Sequence, residues 1–487
     1  MNKFSHLKIA ALAIVTLTGC TMIPKYHRPV TNLSSAWPNV PGYAQTPATN
    51  APVPAADIGW QDFFQDPRLQ RIIEIALTNN PNLQTAVYNV QQSRALYHVQ
   101  QDQLVPVVNV NASAARTRTP NFFGSGSTNG NLPALTYNEF AANLGITSYE
   151  IDLFGRIRSL RRQALETYFA TDAARKGAQI ALVANVATAY LSAEEGAQQL
   201  AVAREMVKAA RQTFDLTKRS FDAGVSSQFD LNTASTQLQN ALVTESGYAQ
   251  QLAQANDELA FLLGEPVPED LAPSPKFDTD ICLQDIPVGL PSDLIEQRPD
   301  IIEAEHQLKA DNANIGAARA VFFPTITLTG SAGFASSSLQ SLFEPASSAW
   351  SISPQLVWPV FASGTAYHEL KAVEAAKLAQ AAQYQSTVQN AFREVADALA
   401  VRETVSEQLS GDEMLVKADQ QSYDLTEAGF KSGVNSALDL NVTLQTLDSA
   451  RLTLAQAQYS RLVSLISLYQ ALGGGWSEQT VQQSAKK

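Results

Sequence analysis

Cysteine is nearly absent from this chain. Its 487 residues include only Cys20 and Cys282, so no disulfide framework shapes the fold. Charge is also scarce. Asp, Glu, Lys and Arg make up 16%, against roughly a quarter in soluble domains. No apolar run of about 20 residues appears outside the N-terminus, which excludes a polytopic helical membrane protein. Basic residues are the minority, 34 against 46 acidic for a net charge of −12, so no nucleic-acid partner is expected. His6, His27, His98, His306 and His368 show no metal-ligand spacing, and no G-x-x-x-x-G-K-[ST] loop occurs. No enzyme activity, catalytic set, metal site or cofactor is expected, and any energy must come from a partner. Apolar matter, by contrast, is ample. Hydrophobic residues make up 45%, enough to exclude general disorder.

Lys3 and Lys8 precede an apolar run from Ile9 to Leu17. A basic stretch followed by an apolar run of this length reads as a signal peptide, too short to span a bilayer. It occupies residues 1–19. Leu17-Thr18-Gly19-Cys20 resembles the cleavage box of bacterial lipoproteins, in which the cysteine becomes the first residue and is acylated. That resemblance implies a lipid anchor at Cys20. Thr21, where an Asp is absent, implies sorting to the outer membrane. Several acyl chains, at about 0.8 kcal/mol per buried CH2, hold a protein far better than one. Cleavage removes both lysines and shifts the net charge from −12 to −14. Cys282 is then unpaired and is expected to be inert.

The rest of the chain says nearly the same thing twice. Phe221-Asp222-Ala223-Gly224-Val225 recurs as Phe430-Lys431-Ser432-Gly433-Val434, Asp230-Leu231 as Asp439-Leu440, and Leu263-Gly264 as Leu472-Gly473, each 209 residues on. Asn80-Pro81-Asn82 answers Arg298-Pro299-Asp300, and Leu104-Val105-Pro106 answers Phe322-Phe323-Pro324, 218 residues on. The repeats span 70–264 and 290–473. Around them lie an N-terminal tether with an equatorial segment (20–69), a proline-rich connector (265–289) and a polar tail (474–487).

Each repeat reads helix, strand, loop, strand, very long helix, tight turn, helix. Alternating apolar and polar residues predict strands over 107–118, 137–152, 325–335 and 348–360. Helical spacing with no internal proline predicts helices over 155–221 and 364–430. The first is about 100 Å long at 1.5 Å per residue. It carries one heptad seam through Leu160, Ala164, Thr167, Thr171, Ala174, Ala178 and Ala181. A second runs through Val183, Val186, Tyr190, Ala193, Ala197 and Leu200. Two seams fit a helix packed on both flanks, whereas a two-stranded coiled coil needs only one. Helices over 70–105 and 227–264 together match the long helix in length and run opposite to it. The uncharged stretch from Gly177 to Ala193 holds Gln179, Asn185 and Thr188 and reads as a packed wall rather than a membrane span.

Four strands leave two open edges, and only helices or closed barrels span a membrane. Two chains would give eight strands with a filled interior, whereas three give twelve and an open lumen. Tyr137, Tyr149, Trp350 and Trp358 lie near strand ends and are candidates for aromatic belts.

A further ordered set of motifs spans the mature chain. It runs Phe63-Phe64-Gln65-Asp66-Pro67, Asn80-Pro81-Asn82-Leu83, Gln297-Arg298-Pro299-Asp300-Ile301, Ile315-Gly316-Ala317-Ala318-Arg319, Phe322-Phe323-Pro324 and Ala471-Leu472-Gly473-Gly474-Gly475-Trp476. With the lipoprotein box, the set resembles the TolC family of outer-membrane efflux channels, specifically its NodT-type lipoproteins. The fold this implies is mixed α and β, mainly α. Four strands per chain would form a shared twelve-stranded barrel in a homotrimer, with a long antiparallel α-helical periplasmic barrel and an equatorial domain. The resemblance also implies a passive channel, lipid-anchored in the outer membrane and extending into the periplasm. It would dock on a periplasmic adaptor protein and serve an inner-membrane pump of the resistance-nodulation-division class. Its cargo would be drugs or other small toxic compounds. A non-conducting periplasmic scaffold, a type I protein-secretion channel and a metal-efflux channel stay open as alternatives.

The same resemblance places candidate residues. Gly224, Val225 and Ser226, with Gly433, Val434 and Asn435, form the interhelix turns and would be the adaptor-contacting tips. Asp230 and Asp439 fall in the first turn after each tip, where the helix dipole favours an acid. Tripled by symmetry, one such position becomes an acidic ring favouring cations. Asp439 ranks above Asp230 for the periplasmic gate because the second-repeat pair lines the aperture in relatives. Leu438 would be an apolar constriction, and Val442 stands where many relatives carry a second acid.

Overall fold

The computed structural model describes residues 21–31, 54–119, 135–274, 281–284, 286, 294–361, 364–432 and 434–480. The described residues form two compact units. One draws on 1–28, 91–169 and 305–382, the other on 29–90, 170–304 and 383–487.

The first unit holds a four-stranded antiparallel sheet. Its strands are β1 (Val108–Thr119), β2 (Leu135–Glu150), β3 (Thr325–Ser336) and β4 (Ser348–Val357), in the order β1-β2-β3-β4. Partners in register share a face. Val108, Val110 and Ala112 pair with Ile146, Leu144 and Ala142. Leu144 and Ala142 pair onward with Ala332 and Phe334. Ala332, Gly330 and Ile326 meet Trp350, Ile352 and Leu356. That face is apolar over this stretch, and only toward one end does it carry Arg116 opposite Asn138 and Arg118 opposite Thr136. The other carries Asn109, Asn111 and Asn143, then Ser331 against Ser351, Thr329 against Ser353 and Thr327 against Gln355. A bulge between Ile146 and Tyr149, with Ser148 at φ 59°, shifts the parity and brings Tyr149 opposite Leu328 on the apolar face. Tyr137 pairs with Thr117 and therefore lies on the polar face.

The longer helices among the described residues are α1 (Pro67–Asn79), α2 (Pro81–Asp102), α3 (Arg156–Asp222), α4 (Gln228–Leu263), α5 (Pro299–Ala320), α6 (Thr365–Lys431) and α7 (Ala437–Ala471). The single helix expected over 70–105 is two. Pro81 has no N–H to donate and biases the residue before it away from helical ψ. Asn80 accordingly sits at φ −63°, ψ 119°. Its side chain caps α2, accepting from the backbone N–H of Asn82 at 2.9 Å and of Leu83 at 3.1 Å. The same side chain donates to the Leu262 carbonyl at 2.8 Å, near the C-terminus of α4. Gly264 ends α4 at φ 74°, where a Cβ would lie 3.0 Å from the Asn79 carbonyl oxygen. One residue thus joins the start of one helix to the end of another.

The second repeat builds this joint with a charge. Arg298, nearly buried, donates to the Ala471 carbonyl at 2.7 Å, to both oxygens of Asp300 and to Glu394 at 2.7 Å. Close by in the same unit, Phe63 stacks on Tyr469 at 3.9 Å. The Tyr469 hydroxyl donates to the Ile58 carbonyl at 2.6 Å, and the Trp476 indole donates to the Ala56 carbonyl at 3.1 Å. Gly474 leaves no room for a Cβ against the Tyr469 ring. The triple glycine is therefore a packing feature. On α3, Val183, Val186, Tyr190, Ala193 and Leu200 of the second seam are buried, whereas the first-seam residues are half-buried or exposed. No described helix is long and apolar enough to cross a membrane.

Candidate functional site

Both interhelix turns follow one backbone plan. In the first, the amides of Val225 and Ser226 donate to the Ser220 carbonyl. In the second, those of Val434 and Asn435 donate to the Gly429 carbonyl, at the same 2.8 and 3.2 Å. Gly224 sits at φ 73°, the left-handed region that a reversing chain needs and glycine enters freely. Gly433 lies outside the described residues. Val225 and Val434 are 82% and 79% exposed, so each tip presents an apolar side chain to solvent.

After each turn comes a capping box. The Ser227 hydroxyl accepts from the Asp230 amide at 3.1 Å, while the Asp230 carboxylate accepts from the Ser227 amide at 2.9 Å and the Ser227 hydroxyl at 2.7 Å. Ser436 and Asp439 repeat the arrangement at 3.2, 2.9 and 2.7 Å. These bonds hold both carboxyls below the usual carboxylate range. Asp230 and Asp439 are thus held by the same set of bonds. Leu438 is 61% exposed beside Asp439, and Phe229 takes the matching place beside Asp230.

Cys20 lies outside the described residues. A short strap just beyond it, residues 23–28, runs antiparallel along α5. Ile23 packs on Gly316, where a Cβ would lie 2.7 Å from Ile23 Cγ1 and 2.9 Å from its amide nitrogen. Asn312 donates to the Pro24 carbonyl at 2.9 Å. The Lys309 ammonium lies 5.5 Å above the Tyr26 ring. Arg28 makes a two-pronged bond to Glu305 at 2.7 and 3.3 Å. Residues 305, 309, 312 and 316 are one stripe of a helix. The sequence reading missed this strap because the stripe mixes charge, amide and glycine. Its one signal was the i, i+4, i+7, i+11 spacing.

Two buried acids were also missed. Glu194 and Glu195, each 3% exposed on α3, are both pushed up to about 7 by desolvation. His306 bonds Glu166 at 2.6 Å, and Arg162 meets the other Glu166 oxygen at 2.6 Å. No group of three or more His, Cys, Asp or Glu among the described residues is arranged to hold a metal ion. Burial pushes the Cys282 thiol up to about 12.

The sheet has two open edges, one apolar face and one polar face, and the helical hairpins repeat. Residues 72–265 and 290–474 match the family described as outer membrane efflux protein. The chain belongs to this family. It is 41% identical over 478 residues to the antibiotic efflux pump outer membrane protein ArpC of Pseudomonas putida, covering 98% of this chain and 97% of that one. Identity and coverage are the same for the toluene efflux pump outer membrane protein TtgC, also of Pseudomonas putida. The open-state crystal structure of the Neisseria gonorrhoeae MtrE outer membrane channel superposes with a TM-score of 0.84 at 35% identity, covering 95% of this chain and all of that one. This outer membrane efflux protein thus has the TolC-like fold, and its place is the outer membrane.

Proposed function

We propose that three copies of this chain close their sheets into one twelve-stranded barrel and form a passive efflux duct. The observation that carries this reading is the sheet. β1 and β4 each leave one edge unpaired, and the apolar face runs from Ile326 to Phe334, about 27 Å along the strand at 3.4 Å per residue. A lipid-facing band of about 25 Å backed by a polar lumen has this pattern. In this reading Cys20 carries the acyl anchor. The tips at Val225 and Val434 meet a periplasmic adaptor, which couples the duct to a proton-driven inner-membrane pump of the resistance-nodulation-division class. Two equally similar relatives bear names for an antibiotic and for toluene. That contrast supports a duct for small toxic compounds that does not itself select among them. Asp439, with Leu438, narrows the resting aperture.

Planar-bilayer recording of the purified, lipidated protein tests the reading. Resting conductance is expected to be small in the wild type, to rise in Asp439→Ala and to change less in Asp230→Ala. Absence of conductance in all three proteins would overturn the duct in favour of a scaffold.

A further inference from the structure

The long helices α2, α3, α5 and α6 all join the sheet at one end, through the segments before Val108 and Thr325 and after Glu150 and Val357. With those helices on the periplasmic side, the other end of the sheet faces the exterior. There the apolar face changes character. Arg116 and Arg118 stand on it, opposite Asn138 and Thr136, in line with Val108, Val110 and Ala112. Both arginines are exposed, and among the described residues no acid pairs with either. A charged side chain on a lipid face is costly at the bilayer midplane and nearly free at the interface. Two guanidinium groups on this face therefore mark the level of the headgroups.

The loop between β3 and β4, residues 337–347, bends onto the same face. The hydroxyls of Ser341 and Ser336 lie 2.7 Å apart, and the Phe343 ring meets that of Phe334 edge-on at 5.7 Å. Ser336 and Phe334 both belong to the apolar face, opposite Phe140 and Ala142. The Ser347 hydroxyl donates to the Ser341 carbonyl at 2.7 Å and the Ser338 amide to the Ser336 hydroxyl at 3.2 Å, which ties the loop down. Leu339 and Phe343 stay 65% and 71% exposed. β2 runs on past its last pair with β3, Phe140 with Ser336, so the arginine rungs stand beside this loop. Two strand spacings, about 10 Å, separate β1 from β3.

We infer that Arg116, Arg118, Leu339 and Phe343 form a binding site for a phosphate-bearing, multiply acylated lipid of the outer leaflet. This inference rests on the barrel proposed above, which turns the apolar face to lipid. A guanidinium presents paired N–H donors that match two phosphate oxygens, so the arginines take the phosphates. Leu339 and Phe343 continue the apolar band past Phe334 and lie against the upper ends of the acyl chains. Trp350, one rung below Phe334 on the same face, sits at the level of an interfacial aromatic belt. The site lies outside the duct, so a bound lipid seats the barrel in its membrane without entering the path of the cargo.

The test titrates the full lipidated protein in detergent with diphosphoryl lipid A or phosphatidylglycerol, counting bound lipids by native mass spectrometry, with inorganic phosphate as competitor. The wild type is expected to bind lipid A about tenfold more tightly than phosphatidylglycerol, the worth of one charged hydrogen bond. Arg116→Gln with Arg118→Gln is expected to lose that preference. Arg116→Lys with Arg118→Lys is expected to keep only part of it, since an ammonium lacks the two-pronged geometry; this pair carries the same comparison if the glutamine pair fails to fold. Leu339→Ser with Phe343→Ser is expected to weaken binding of both lipids. Wild-type preference in both arginine pairs would overturn the site, and wild-type binding in the serine pair would overturn the loop's part in it. Displacement of lipid A by an equal concentration of inorganic phosphate would show a plain anion site and overturn the assignment to lipid. Conductance separates this inference from the duct: a preference that depends on the arginines in a protein that never conducts keeps the site and removes the duct, whereas conductance without any preference does the reverse.

Discussion

Replacing Gly316 with alanine places a methyl group where the N-terminal strap lies. The new carbon would sit 2.6 Å from Ser159 Oγ, 2.7 Å from Ile23 Cγ1 and 2.9 Å from the Ile23 amide nitrogen. Ser159 is buried and donates to the Gly155 carbonyl at 2.6 Å, so it has little freedom to move away. The strap must yield. Overpacking of this kind costs about 1–3 kcal/mol, which raises the undocked population roughly 5- to 150-fold. Lys25 is exposed and lies between the Pro24 and Tyr26 contacts, so trypsin cleaves after it only when the strap lifts. When opening is fast relative to cleavage, the cleavage rate tracks that population. Brief trypsin treatment of the folded protein in detergent, read by mass spectrometry, is expected to give cleavage at least fivefold faster in Gly316→Ala. Glu305→Gln is expected to give a smaller rise, because Arg28 is 46% exposed and such a half-exposed pair contributes about 1 kcal/mol or less. Equal cleavage in Gly316→Ala and wild type would refute the claim that this face of α5 holds the N-terminus.

The other predictions concern the sheet, the buried acids and the repeat joints. Ile352→Lys puts a charge on the apolar face at a cost of about 2–4 kcal/mol near the bilayer midplane. It is expected to reduce recovery in the outer-membrane fraction, whereas Ser351→Lys, on the opposite face, is expected to fractionate like the wild type. Glu194 and Glu195 have folded pKa values raised to about 7. At low pH both are neutral in either state, and as pH climbs from about 4.5 the unfolded chain loses their protons first. Their contribution therefore turns against folding until about pH 7, by up to about 3 kcal/mol each. The double variant Glu194→Gln with Glu195→Gln is expected to flatten the fall of the thermal midpoint between pH 5 and 7, and an unchanged slope would count against the assignment. Arg298→Ala strips the Ala471 carbonyl, Asp300 and Glu394 of one shared donor. Breaking a buried pair costs about 3–5 kcal/mol, reduced to about 2–3 because both acids are about 40% exposed and rehydrate. Asn80→Ala is expected to cost less, about 1–3 kcal/mol, in denaturant melts followed by circular dichroism.

Wherever one periodicity dominated, the sequence was sufficient. From Arg156 to Asp222 no proline interrupts helical spacing, and a helix of 67 residues results. The alternation through Val108, Val110 and Ala112 places apolar side chains on one face because a strand has a period of two. Other features were illegible for identifiable reasons. The Asn80 break hinges on a side chain that caps forward and bonds across to α4 at once, and no local pattern encodes the second partner. The face of Tyr137 depends on pairing with Thr117, and a bulge at Ser148 resets parity at the other end of the same strand. The strap needed a partner stripe more than 270 residues away. At the tips, Asp230 and Asp439 were visible as letters, but their capping boxes make them chemically alike.

The duplicated chain does one job with two unlike halves. The repeats keep the same joints at the same places: Asn80 holds Leu262 where Arg298 holds Ala471, and Ser227 with Asp230 matches Ser436 with Asp439. What differs is the chemistry of the first joint. The second repeat replaces an amide by a guanidinium that also gathers Asp300 and Glu394.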